Sequence, residues 1–347
     1  MVNYCEIDRW ASLSYSMVNQ CSESLNLRDV RTVTAETVRD RQVDLITYGF
    51  PCQDISIAGK QQGFVNDSGE STRSGLFFEA LRIIKELRPR YAIAENVKAL
   101  TSTKFKNEFA TVLSSLEEAG YNNYWRVLNA KDYGIPQNRE RVFIVSIRRD
   151  VDEGDFQFPD KEPLMLRLRD MLEPAESVDE KYYLSTEREG VRKLIAELES
   201  RYRINSSTAV CVASRGRNPA NPSDRTTGSP TEQRLEAKIV IDGLTRDTQC
   251  QRARVFNPDG LSAAITATDY KEPLQISVKI AEPEHTYGVR IRKLTPREYW
   301  RLMGFLDEEF DRVHSISNPQ LYKQAGNSIV VNVLSALLSQ LFYKELV

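Results

Sequence analysis

A cysteine, a glutamate and two arginines stand out by type and place. Cys52 follows Gly49-Phe50-Pro51 and precedes Gln53. It lies just past the apolar run 43–50 (VDLITYGF), after a proline that fixes the turn. A thiol at a strand end is placed to act as a nucleophile. Taken singly, it reads more readily as a small buried apolar residue. Glu95, in Glu95-Asn96-Val97, closes a second short apolar run, where a carboxyl group can give or take a proton. Alone, such a residue is usually a solvated one or a helix cap. Arg139 and Arg141 open a further strand in Gln137-Asn138-Arg139-Glu140-Arg141. Alternate residues of a strand share a face, so the two guanidiniums are expected to point the same way. Alone, such a pair is most often salt-bridged at the surface. Together the four make a thiol nucleophile, a carboxyl acid and two fixed cations on one sheet edge.

The elements that must hold them follow from apolar spacing. Residues 43–50 and 91–97 are short β-rich runs, and 141–148 (RVFIVSIR) is another. Between them, 76–89 has apolar residues at helical spacing and stops at Pro89. Residues 105–120 form an amphipathic helix with Gly120 in the position that ends helices. Alternating strand and helix predicts a parallel sheet with helices on both faces and functional groups at the strands' carboxyl ends. The pattern breaks near Phe156. Residues 288–347 return to helical patterning. The expected organisation is 1–155, then an irregular region 156–287, then 288–347 rejoining the first.

Composition removes other classes. Lys and Arg number 47 against 49 Asp and Glu, so the chain is no histone-like polycation. The charge is uneven: between positions 201 and 254 ten Lys/Arg face five acids. Within that stretch 214–231 is loop chemistry, either a surface loop or an arm that orders on a phosphate backbone. No run reaches the roughly 18 apolar residues of a membrane span. The first residues carry Glu6 and Asp8 where a secretory signal is basic and then apolar. Five scattered cysteines without a Cys-x-x-Cys pair fit a reducing cytoplasm and neither a disulfide framework nor a structural zinc site. His285 and His314 are the only histidines, and neither is placed to partner a nucleophile or build a metal centre. No metal is expected.

With these residues in view, the chain resembles the bacterial and phage DNA (cytosine-5)-methyltransferases, over nearly its whole length. GFPCQDISIAGKQQGF resembles that family's nucleophile motif, ENV its acid motif and QNRERVFIVSIR its arginine motif. RKLTPREYWRLMGF and QAGNSIVVNVL resemble the two closing motifs, in the family's order. The resemblance implies an α/β fold: a Rossmann-like S-adenosylmethionine-dependent methyltransferase sheet with a smaller, irregular, mainly β target-recognition domain. It implies that Cys52 attacks C6 of a flipped-out cytosine, that Glu95 holds the base at N3 and its amine, and that Arg139 and Arg141 hold the base O2 and order the catalytic loop. Pro51, Gln53 and Ser56 belong to the loop that closes on DNA. Glu6 and Ile7 match the acid and apolar neighbour that take the ribose and adenine of S-adenosylmethionine. Asp29 and Val30 match the pair that reads adenine, and Asn327 and Ser328 a motif near the cofactor carboxylate. Gly260, Ala264 and Ile265 lie in a stretch resembling a recognition loop that usually carries Thr-Leu, here replaced by Ala264-Ile265.

One departure is plain. The Gly-rich turn that follows the family's first strand precedes none of these motifs and does not recur after Asn327. The expectation is a sheet without its first strand, with weak cofactor binding and poor methylation by this chain. The resemblance implies double-stranded DNA as partner, a monomer, a cytoplasmic location, and a cognate restriction endonuclease or a phage setting. Two alternatives stand beside it. One is an N-terminally truncated, inactive DNA-binding remnant. The other is the family branch acting on transfer RNA, which the long basic region disfavours.

Overall fold

Residues 43–50 are rich in β-branched and aromatic side chains and form strand β1 (Leu45–Gly49) after the first helix, α1 (Arg9–Val18). The computed structural model describes residues 2–40, 42–51, 73–207, 241–245, 253–281 and 287–342. Cys52, Gln53 and Ser56 lie outside them, as does the 214–231 stretch. The expected helix follows as α2 (Phe77–Leu87), which ends on Arg88 in the left-handed region (φ 48°) just before Pro89. Next come β2 (Tyr91–Val97) and α3 (Lys106–Glu118), the latter released by Gly120 at φ +96°. Three strands then run in succession: β3 (Tyr121–Asn129), β4 (Gln137–Asn138) and β5 (Glu140–Arg148).

The contacts divide the chain into two compact units. The first comprises Met1–Leu166, Ala263–Lys271 and Pro296–Val347. Its sheet has the order β1-β2-β5-β3. β1 and β2 are parallel, as expected, but β5 is antiparallel to both its neighbours. The wholly parallel sheet predicted from the strand–helix alternation is therefore corrected to a mixed one. The reason is the connection: residues 130–139, between β3 and β5, hold one 3₁₀ turn (Ala130–Tyr133) and no α-helix, and a link that short reverses the chain rather than crossing over. β2 and β5 are central and nearly continuously buried. On one face Ala92, Ala94, Val142 and Ile144 pack against Phe77, Leu81 and Ile84 of α2 and Phe109, Val112 and Leu116 of α3. On the other face stand Tyr91, Ile93 and Glu95 of β2, with Arg141 and Phe143 of β5.

The same unit closes with α5 (Pro296–Arg301), α6 (Asp307–Val313), α7 (Asn318–Asn327) and α8 (Val331–Leu341). Phe342, just past α8, meets Tyr91 edge-on at 5.2 Å between ring centres.

The second unit comprises Arg167–Ser262 and Glu272–Thr295. Its helix α4 (Glu189–Ser207) lies on a four-stranded sheet made from β6 (Ile241–Leu244), β7 (Arg254–Phe256), β9 (Gln275–Ala281) and β10 (Tyr287–Lys293). The two-residue strand β8 (Ser262–Ala263) falls at the boundary of the units. Val191, Leu194 and Leu198 of α4 pack on Val255, Val289 and Ile291. Among the described residues no helix is long and apolar enough to cross a membrane.

Candidate active site

The parallel pairing of β1 with β2 sets Gly49 opposite Glu95. The chain then passes through Phe50 to Pro51, at the edge of the described residues. Asn96 faces the helix-packed side of the sheet and is buried, with 3% of its surface exposed. Its amide donates to the Phe50 carbonyl (3.1 Å), and its own oxygen accepts from the Val97 amide (2.8 Å). The end of β1, from which Pro51 and then Cys52 continue, is thus tied to the strand carrying Glu95. Sequence reasoning passed over Asn96. Its only signal was a polar residue inside an otherwise apolar run.

Glu95 and Arg141 meet across the β2–β5 ladder. Val97 pairs with Arg141 and Glu95 with Phe143, so Glu95 and Arg141 are diagonal neighbours on one face. Arg141 Nε lies 3.1 Å from Glu95 Oε1, and the two side chains are only 21% and 15% exposed. Burial raises the Glu95 pKa above the ordinary carboxylate value, and the charges of Arg141 and Arg139 pull it part of the way back.

Arg139 does something else. The strand is interrupted between β4 and β5 at this residue, where Asn129 Oδ1 accepts from the Arg139 amide (3.1 Å). The Arg139 side chain donates to the carbonyls of Ile265 (2.7 Å), Gly326 (3.0 Å) and Ser328 (3.0 Å). The expectation that Arg139 and Arg141 act side by side is corrected: one grips backbone far along the chain, the other pairs with Glu95. The interruption at Arg139 breaks the alternation that a continuous strand would impose.

The residues matched to the cofactor are drawn together around Asn26. This buried amide accepts from the backbone amides of Glu6 (3.0 Å) and Arg28 (2.9 Å) and donates to the Glu6 carbonyl (2.9 Å) and the Ser12 hydroxyl (2.8 Å). It binds the segment of Glu6 and Ile7 to that of Asp29 and Val30. Glu6 Oε1 accepts from the Asp8 amide (2.7 Å). Ile7 is 68% exposed. An apolar side chain left in solvent beside a carboxylate fits an adenosine, whose flat base wants an apolar face and whose ribose offers two hydroxyl donors. Asp29 is already engaged: it caps the turn at Arg31 and pairs with that guanidinium at 2.6 Å, which lowers its pKa. Val30 donates nothing to the site by side chain but holds Arg82 through its carbonyl (3.1 Å).

Helix α7 connects to this cluster. Lys323 Nζ lies 2.5 Å from Asp8 Oδ2, and Ser14 donates to Gln324 Oε1 (2.8 Å). Asn327 and Ser328, at the end of the same helix, are exposed and half-buried. Ala264 and Ile265 belong to the first unit, Gly260 to the second. Gly260 is buried there and accepts from the Leu168 amide (3.0 Å). Among the described residues no cluster of His, Cys, Asp or Glu could hold a metal ion.

The family described as C-5 cytosine-specific DNA methylase matches residues 1–343. The chain is 37% identical over 325 residues to the type II methyltransferase M2.ScrFI of Lactococcus lactis subsp. cremoris, spanning 92% of this chain and 72% of that one. It is 32% identical over 306 residues to the type II methyltransferase M.HhaI of Haemophilus parahaemolyticus, spanning 88% and 77%. Orphan methyltransferase M.SPRI of Bacillus phage SPR is 30% identical over 423 aligned positions, spanning 99% and 92%. Among solved structures, the S. pombe Dnmt2 methyltransferase shares the fold with a TM-score of 0.58 at 20% identity, over 99% of this chain and 91% of that one. The α/β fold expected from the sequence is that of the family. The chain belongs to the C-5 cytosine-specific DNA methylases, enzymes that draw their methyl group from S-adenosylmethionine.

Proposed function

We propose that this protein methylates C5 of a cytosine flipped out of duplex DNA, through a covalent bond from Cys52. The observation that carries it is the Glu95–Arg141 pair, set opposite Gly49 where the chain leaves β1 toward Cys52.

C5 of cytosine is a weak nucleophile. Addition of the Cys52 thiolate to C6 breaks the aromatic ring and turns C5 into an enamine carbon. Glu95, kept protonated more readily by its burial, donates to N3 and takes up the charge that moves there. Arg141 holds the Glu95 carboxyl and presents a cation to the base O2. Arg139 holds the supporting backbone. Bound S-adenosylmethionine supplies the methyl as an electrophilic carbon on a sulfonium. Loss of the C5 proton to a base and departure of Cys52 from C6 restore the ring as 5-methylcytosine. Glu6 and Ile7 take the adenosine end of the cofactor, with Asp29 and Val30 beside them and Asn327 and Ser328 at its carboxylate.

The unit containing β1, β2 and β5 carries this chemistry, and the second unit, with the basic stretch, reads the target. Pro51, Gln53 and Ser56 close on DNA, and Ala264 lies on the recognition stretch, with Gly260 and Ile265, both buried, supporting its backbone and not touching the duplex. Type II relatives support a restriction endonuclease as companion, and phage relatives a phage setting; the working form is a monomer in the cytoplasm. Expression in a host free of cytosine methylation, followed by bisulfite sequencing, tests the activity. The expected result is 5-methylcytosine in one short recurring sequence, and none with Cys52→Ser.

A further inference from the structure

Gln137 is fully buried and was absorbed by none of the roles above. Its side-chain nitrogen donates to the Leu302 carbonyl (2.7 Å), and its oxygen accepts from the Ile265 amide (3.2 Å). Arg139, two residues on, donates to the Ile265 carbonyl (2.7 Å). Both backbone groups of Ile265, itself 0% exposed, are therefore held by side chains of the short stretch 137–139. Past the interruption at Arg139 the chain enters β5, which carries Arg141.

Beyond Ile265 the chain makes a braced turn. Asp269, 4% exposed, accepts from the Thr266 amide (2.9 Å), the Thr266 hydroxyl (2.6 Å) and the Tyr299 hydroxyl (3.1 Å). From behind, Gly326 approaches so closely that a Cβ there would lie 2.1 Å from the Ala267 nitrogen. The turn thus has little freedom of its own, and what remains to fix is its position relative to the sheet. Thr266, Thr268 and Tyr270 are on its exposed side.

We infer that Gln137 is a positioning residue that fixes the 264–271 turn against the strand bearing Arg141, and so governs the fidelity of target reading and not the rate of methyl transfer. The inference rests on the DNA-methylation function proposed above. Two hydrogen bonds from one rigid amide hold a backbone more tightly than packing alone, because slippage strands two buried polar groups. The Glu95–Arg141 pair is set by the β2–β5 ladder and keeps its geometry when Gln137 changes.

The test uses the full chain, the duplex sequence mapped for the wild type, and a second duplex with one base pair of that sequence changed. Gln137→Met keeps the length of the side chain and loses both hydrogen bonds. The expected outcome is a KM for the mapped duplex raised about tenfold, with kcat at saturation held within about twofold. The preference for the mapped over the changed duplex falls at least about fivefold. Asp269→Asn, which loosens the turn from its other side, is expected to weaken the same preference, and the double variant to do little more than either alone. If Gln137→Met does not fold, Asp269→Asn alone decides the matter. A kcat that falls with the preference intact, or effects that multiply in the double variant, overturns the inference. A wild-type chain that methylates no duplex overturns the proposed function itself, a result separable from either.

Discussion

Arg141 and Glu95 form a half-buried ion pair across two antiparallel strands, diagonal to one another and 3.1 Å apart. Each is costly to leave alone in that position, and the pair persists because both are present. Arg141→Met is therefore expected to cost about 2–3 kcal/mol, a discount from fully buried pairs for the remaining exposure. A urea midpoint measures it. Methyl transfer is expected to fall at least about a hundredfold, because the carboxyl loses its fixed direction.

The same pair sets a pH dependence. Burial raises the Glu95 pKa above 4.5, with Arg141 and Arg139 opposing. The folded protein then holds this proton more tightly than the unfolded one, so the contribution to stability is greatest below about pH 4.5 and declines as pH rises through the folded value. Denaturation midpoints followed from pH 4.5 to 8 are expected to decline less steeply in Glu95→Gln. In the wild type, kcat is expected to fall on the alkaline side as Glu95 loses its proton. An identical pH slope in the Gln variant would contradict the assignment.

Asn96 holds the carbonyl of Phe50. Asn96→Ala leaves that buried oxygen without its donor and is expected to cost about 1–2 kcal/mol. Since the chain continues from Phe50 to Cys52, kcat is expected to drop at least about tenfold while duplex affinity in a gel-shift assay holds.

Two glycines make a contrast that melting curves can read. Gly120 has φ +96° and open space around it, so Gly120→Ala costs only backbone strain, about 1–2 kcal/mol. Gly326 lacks that strain, but its Cβ would strike the backbone of Thr266 and Ala267 at 2.1 Å. Gly326→Ala is expected to cost about 3 kcal/mol or more, since backbone on both sides must move.

Much of this was legible in the sequence, and the rest was hidden for physical reasons. The strand at 91–97 and the helices at 77–87 and 106–118 showed because both-face burial and one-face burial leave distinct apolar spacings. β3 did not show: it is an edge strand, with Asn122, Asn123, Trp125 and Arg126 diluting the pattern. The direction of β5 was missed because spacing carries no sign and only the short link 130–139 reveals the reversal. Glu95 and Arg141 were found by residue type at strand ends. The divergence of Arg139 from Arg141 depends on the interruption held by Asn129, ten residues upstream, which no local pattern displays. The return of Ala263–Lys271 to the first unit is likewise a long-range fact, fixed by Gln137 and Arg139 from 128 and 126 residues away.

The central claim is covalent attack by Cys52, and one trapping measurement meets it directly. A duplex carrying 5-fluorocytosine at the mapped position is incubated with the protein and S-adenosylmethionine, then denatured and separated by size. Fluorine at C5 cannot leave as a proton does, so the thiol cannot be eliminated after methyl transfer. The predicted result is a denaturation-resistant protein–DNA adduct, absent with Cys52→Ser and absent without cofactor. A wild-type protein that methylates ordinary duplex yet forms no adduct, or a Cys52→Ser variant that forms one, would contradict it.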